Sequence, residues 1–312
     1  MMFKNSIKLL MANFSTVWKL LVYKIIALGI VAGLFFAVFP TLQNLPSFSV
    51  FISDLGNFLL EFNIGANIKT ILTSFYEIFQ NFFVLYVDLA VNSTFAFVYL
   101  TALFGIVLPY LWKLSDIATG ESLYGYMASL TRYSFTGSFI RKIGISSIYS
   151  LLYLALTLPI NLIIIAGAFG ILSLVQVGGI VAVFIPLLLF VYFSCIIGLK
   201  NAFLAGWMPA IVVFNTNAVK GFKLGLKAVQ RRFLRVLSTS AMLVAIIFAI
   251  NLLFGSFSLI ITVPVGSMII SVFQMVMFFG SQGMRYYVDL DTILSPKKLE
   301  ETDKLKRVKN LI

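Results

Sequence analysis

A chain of 312 residues that is 61% hydrophobic and only 11% charged lies far from a water-soluble domain, which is about 45–50% apolar and about 25% charged. That excludes a soluble enzyme, a disordered chain and a nucleic-acid-binding domain, despite a formal net charge of +12. What remains is an all-α, polytopic membrane bundle.

The chemistry narrows further. There is no histidine, hence neither the commonest general base nor the commonest metal ligand. The single cysteine, Cys195, sits in an apolar run and reads as a small buried hydrophobe; no disulfide within the chain and no thiolate metal set are available. Gly221-Phe-Lys-Leu-Gly225 lacks the phosphate-loop pattern. The expectation is no catalytic residue, no metal site and no cofactor.

Crossing the hydrocarbon core takes roughly 20 apolar residues in a helix. From the N-terminus, Lys4, Lys8, Lys19 and Lys24 precede or enter a first span, Leu21–Phe39, closed by Pro40. Phe-Phe-Ala-Val-Phe-Pro is a poor cleavage site, so this is read as a retained span rather than a secretion signal. Lys24 is expected to snorkel to the nearer surface. Gly29 and Gly33 form a small-xxx-small pair suited to close helix contact.

Residues 40–92 read as an outer amphipathic helical hairpin. Phe48, Phe51, Ile52, Leu55, Leu59 and Phe62 recur at helical spacing, with Ser49, Ser53, Asn57 and Glu61 on another face. Turn residues follow around Gly65. A second helix from Ile68 carries Thr70, Ser74, Glu77, Asn81, Asp88 and Asn92 to one side and is expected to run without a break into the second span, Thr94–Trp112. Two long uncharged runs then divide into four spans: Ser146–Ile171, Ile180–Leu199, Leu237–Phe254 and Pro264–Met284.

Six spans put both termini, Lys113–Lys142 and Lys200–Arg235 on one side, with every Lys and Arg except Lys69. Cationic loops mark the cytoplasmic side. Both termini are therefore expected in the cytoplasm of a plasma-membrane protein. The strongest local signal is an amphipathic cytoplasmic helix over residues 217–237. Lys223, Lys227, Arg231 and Arg235 form a four-residue stripe joined by Lys220 and Arg232, and no acid occurs from Lys200 to Arg235. Such a stripe suits the anionic lipid headgroups of the cytoplasmic leaflet. Nucleic acid is not expected, because no aromatic platform interleaves with the cations.

Within the spans, Asn161, Asn251 and Gln274 stand out as uncharged polar groups that either bond across helices or line a polar site. Residues 1–294 read as one membrane-embedded domain, and 295–312 as a charged cytoplasmic tail helix.

Trp207-Met-Pro-Ala-Ile-Val-Val213, the basic Lys220–Arg235 stretch, a span pair and Arg285-Tyr-Tyr-Val-Asp289 follow one another in an order that resembles a group of bacterial six-span proteins. That group is related to the membrane domain found beside glycerophosphodiester phosphodiesterases, and the likeness covers roughly the last hundred residues. It implies a bacterial plasma-membrane protein linked to lipid or envelope physiology. No catalytic residues come with it, since the hydrolase chemistry belongs to a separate soluble domain.

The leading expectation is a non-enzymatic accessory or scaffold engaging anionic lipid or a membrane-protein partner. The alternative is a transporter or channel for a small solute or lipid. A water-accessible cavity lined by Asn161, Asn251 and Gln274 favours the alternative, and a dry centre favours the scaffold.

Overall fold

A helix satisfies its backbone polar groups internally, which is the condition for crossing a hydrocarbon layer. The computed structural model describes residues 6, 9–63, 67–127, 134–177, 179–230, 233–254 and 258–281, and every regular element among them is helical. In chain order these are α1 (Phe14–Phe35), α2 (Phe39–Gln43), α3 (Pro46–Asn63), α4 (Ile68–Asn92), α5 (Thr94–Ala102), α6 (Leu108–Leu114), α7 (Asp116–Met127), α8 (Phe135–Ser173), α9 (Gly179–Leu204), α10 (Trp207–Phe214), α11 (Ala218–Gln230), α12 (Phe233–Phe254) and α13 (Ser258–Ser281). A π segment, Leu103–Val107, joins α5 to α6, and a 3-10 turn, Leu174–Val177, follows α8.

Four helical stretches are long and apolar enough to cross a membrane: Phe14–Phe35, Thr94–Met127, Phe135–Gln176 and Phe184–Phe214. Helices α11 and α12, bent by 98° at their break, make a fifth if taken as one span. The chain is thus a helical membrane protein. The last expected span falls on α13, whose described apolar part, Val265–Phe278, is shorter. Large apolar side chains such as Ile26 and Ile30 on α1, Phe95 on α5, Ile163 on α8 and Leu187 on α9 are exposed. A surface this apolar is a liability in water and no penalty in lipid.

Several boundaries differ from expectation. Helix α1 begins at Phe14, ahead of Leu21, and Pro40 opens α2 rather than closing the span. Proline is well suited to a first helical turn, where its missing N–H would be unpaired anyway. Helix α8 begins at Phe135, ahead of Ser146, because the Ser134 hydroxyl accepts from the Gly137 N–H at 3.1 Å and caps it there. Cys195 is exposed on α9, not buried. The tail 295–312 and Gly65 lie outside the described residues.

Helices occupy the two expected hairpin segments, α3 and α4, and part of their polar set meets at the seam between them. Ser47 donates to Asp88, Asn81 to Asp54, and Ser74 to Glu61. Positions 47, 54, 61 and 74, 81, 88 step by seven on antiparallel helices, the repeat that keeps one seam facing a partner helix. Aromatic rungs alternate with the polar ones, Phe51 on Phe82 at 6.0 Å and Phe58 on Phe75 at 5.5 Å between centroids. Ser49, Ser53 and Asn57 remain exposed, as do Val50, Ile52, Val84 and Val87. Helix α4 does not continue into the next span: Ser93 breaks it with φ −151° and ψ 78°. Polar side chains there compete for the backbone; Asn92 donates to Asp88, and Thr94 Oγ1 to the Ala90 carbonyl at 3.4 Å. The hairpin docks on the α8–α9 turn, where Tyr76 stacks on Phe169 at 5.8 Å and receives a 3.0 Å bond from Gln176 Nε2.

At the other end of the bundle the short helices form the main core. Leu123, Tyr149, Trp207, Met208, Ile211 and Val272 bring α7, α8, α10 and α13 together. The Trp207 indole donates to the Ala218 carbonyl at 2.8 Å, tying α10 to α11. There the helices approach so closely that a Cβ on Gly225 would lie 2.5 Å from the Gly206 carbonyl carbon. Helix α10 ends on Asn215, whose φ of 48° is left-handed and whose Oδ1 accepts from Lys142 at 2.6 Å. Asparagine tolerates that conformation better than most side chains. By contrast Gly29 and Gly33 face nothing within 4 Å, so they mark no close contact. The buried face of α1 instead runs through Thr16, Val17, Leu20, Lys24, Ala27 and Val31.

Candidate functional site

The site grows from the problem of ending a helix inside a bundle. The last carbonyls of a helix lack intrahelical partners. At the end of α6 two side chains from α1 supply them: the Tyr23 hydroxyl donates to the Leu111 carbonyl at 2.6 Å, and the Lys24 ammonium donates to the Trp112 carbonyl. Lys24 is only 2% exposed and lies 4.2 Å from the Trp112 ring centroid. It therefore does not snorkel. A cation at a helix C-terminus is also favoured by the helix dipole.

One residue on, Lys113 bridges the α6–α7 break to Asp116 at 2.9 Å and sits 4.4 Å from the centroid of the Tyr153 ring. Asp116 occupies the first turn of α7, where the dipole favours an anion. On the α8–α9 pair, Lys200 Nζ donates to Asn161 Oδ1 at 2.9 Å. Proline helps shape this region. Pro109 cannot donate to the Gly105 carbonyl, and the backbone widens just before it, so that the Leu108 N–H bonds to Leu103. Such π segments recur at functional sites.

These elements line a half-open cavity of about 530 Å³. Its polar wall comprises Lys113 and Asp116, Asn161 and Thr157 from α8, Lys200 and Asn201 from α9, and Ser271 and Gln274 from α13. Trp112, Leu108, Leu154 and Ile270 supply apolar wall. The volume falls within the usual range for small-molecule sites, roughly 300–1,000 Å³. Among the described residues, no group of three or more Cys, Asp or Glu could hold a metal ion.

The structure brings together two of the three expected intramembrane polar residues, Asn161 and Gln274, in this cavity. Asn251 lies on α12, its side chain outside the described set. Of the basic stripe, Lys220, Lys223 and Lys227 lie exposed on α11, and Arg235 is exposed on α12. Arg231 and Arg232 lie outside the described residues. The stripe is not one helix over 217–237, because α11 ends at Gln230 and α12 departs at 98°. The two segments serve different partners: α11 packs Ala218, Gly221, Gly225 and Ala228 inward, while α12 runs along α9. The buried side of α11 thus meets protein.

No family model matches the chain, and no curated protein or solved structure matches it.

Sequence reasoning missed Lys113, Asp116 and Lys200 as cavity residues. All three stand at span ends, where a charge reads first as a topology marker. The signal available was Asp116, an acid three residues beyond Lys113 and close to the end of an apolar run.

Proposed function

We propose that this chain is an integral plasma-membrane protein of six spans, both termini cytoplasmic, that admits a small solute or lipid headgroup to a cavity in its bundle, mostly apolar with one polar side. It acts as a transporter or channel and carries out no chemistry of its own. The observation that supports this reading over the scaffold is the cavity of about 530 Å³ shared by Asn161 and Gln274 and flanked by Lys113 and Lys200. The resemblance of its last hundred residues to the bacterial six-span group supports the membrane setting.

A scaffold role on the anionic leaflet has one observation in its favour: Lys220, Lys223, Lys227 and Arg235 are exposed, and no ion pair among the described residues involves them. Cations so placed would meet headgroups whether or not a solute passes, so this reading is compatible with the first.

The test is water access. In a Cys195→Ala chain, Thr157→Cys and Ser271→Cys point at the cavity, whereas Leu162→Cys lies on the exposed apolar surface. A small hydrophilic thiol reagent applied to open membranes should modify the first two and spare the third. If neither cavity position reacts, the centre is dry and the solute reading falls.

A further inference from the structure

The cavity's charges do not balance. Two lysines and one aspartate line it, and the buried Lys24 stands behind Trp112. Asp116 is committed to Lys113 at 2.9 Å. Lys24 has a backbone carbonyl for a partner and Lys200 a neutral amide. Among the described residues, no carboxylate pairs with Lys200. Lys200 is half-buried, even partial withdrawal of an ammonium from water is costly without a counter-charge, and Lys113 lines the same cavity as a second positive charge.

The placement of Lys200 sharpens the point. The Lys200 ammonium crosses from α9 to α8, into the bundle, where it donates to the Asn161 amide oxygen at 2.9 Å. A lysine that only marked the end of a span would extend the other way, to the nearer water. The same cavity is lined by the neutral amides of Asn201 and Gln274, whose N–H groups suit the remaining lone pairs of an oxyanion. The apolar wall formed by Leu154 and Ile270 suits a short alkyl portion.

We propose that the cavity binds an oxyanion, a phosphate or carboxylate group, with Lys200 as its principal counter-ion. The proposal rests on the solute-cavity reading and names its ligand chemistry. The anionic group can come from a small soluble molecule or from a lipid headgroup, and the experiment separates the two.

The full chain, purified in neutral detergent, is unfolded by heat in three media of equal ionic strength. One contains sodium chloride, one glycerol 3-phosphate, and one phosphatidylglycerol in mixed micelles with phosphatidylcholine as its control. Binding raises the unfolding midpoint by mass action. The expected rise is at least ~3 °C with glycerol 3-phosphate if the source is soluble, or with phosphatidylglycerol alone if it is a lipid headgroup. Lys200→Gln should abolish the rise, while Lys223→Gln/Lys227→Gln, on the exposed face of α11, should preserve it. Because Lys200→Gln risks misfolding, Asn161→Asp is the second variant: it places a carboxylate beside Lys200 and so supplies the counter-ion internally. It should raise the midpoint in chloride and lose the response to added oxyanion.

No rise with either probe overturns the proposal. So does a rise that survives both Lys200→Gln and Asn161→Asp. A cavity that accepts the thiol reagent yet shows no oxyanion response refutes this inference and spares the solute reading; an unreactive cavity refutes the reading itself.

Discussion

Glycines at two places in this chain share one spacing and opposite fates. Gly221 and Gly225 face α10, where a Cβ on Gly225 would sit 2.5 Å from a backbone carbon and 2.7 Å from the Trp207 nitrogen. Gly29 and Gly33 face nothing within 4 Å. Backbone atoms cannot swing aside as a side-chain tip can, so Gly225→Ala must push α10 and α11 apart. A cost of about 1–3 kcal/mol is expected from such overpacking. Gly29→Ala meets no obstacle and should stabilise by about 0.5–1 kcal/mol through reduced backbone entropy. Thermal unfolding of both variants in one detergent checks the pair, and equal effects would contradict the packing described. Small-xxx-small spacing is legible in the sequence at both sites. Which site is used depends on the face that is buried, and that is decided by tertiary packing alone. Lys24 and Lys200 follow the same logic. Their positions near span ends invite a snorkelling reading, but one caps α6 and the other reaches Asn161.

Among the elements, the α3–α4 hairpin shows what a one-sided polar pattern leaves open. The one-sided clustering of Ser74, Asn81 and Asp88 is visible in the sequence, and an aqueous outer loop would turn that side to water. The structure turns it toward Ser47, Asp54 and Glu61. Only the matching seven-residue step on both arms could have revealed this, and an apolar outer surface rewards it. The middle rung is open to a double-mutant test. Asn81→Leu should destabilise by about 1–3 kcal/mol, because it leaves the Asp54 carboxylate without its donor. Adding Asp54→Leu removes the orphaned charge, and paired apolar groups at such a rung are often neutral or better. The double variant should therefore unfold at a higher temperature than Asn81→Leu. If it unfolds lower, the rung is not a desolvated pair. The break between α11 and α12 was illegible for another reason: no Pro or Gly marks residues 230–233, and the basic four-residue step runs straight through it.

At the scale of the whole molecule, charge and packing divide the bundle in the same way. The hairpin end holds Asp54, Glu61, Glu77 and Asp88, with Lys69 alone against them. The opposite end holds the dense core of α7, α8, α10 and α13, and beside it the exposed lysines of α11. A span crossing once between these ends fits the positive-inside rule only if the core end is cytoplasmic. Helix α7 strengthens the point. It lies in a segment that reads as a loop, yet Ile117, Ala118 and Leu123 are buried there, so this end of the bundle is a packed layer and the cavity lies against it. The expected topology is then checked with two cysteines in a Cys195→Ala chain, both at exposed positions: Asn57→Cys on α3 and Gln230→Cys at the end of α11. On intact cells an impermeant thiol reagent should label Asn57→Cys alone, and permeabilisation should add Gln230→Cys. Labelling of Gln230→Cys in intact cells would put the core end outside. The cavity's approach would then face the exterior, and its excess positive charge could no longer be ascribed to the same bias that loads the cytoplasmic loops with lysine.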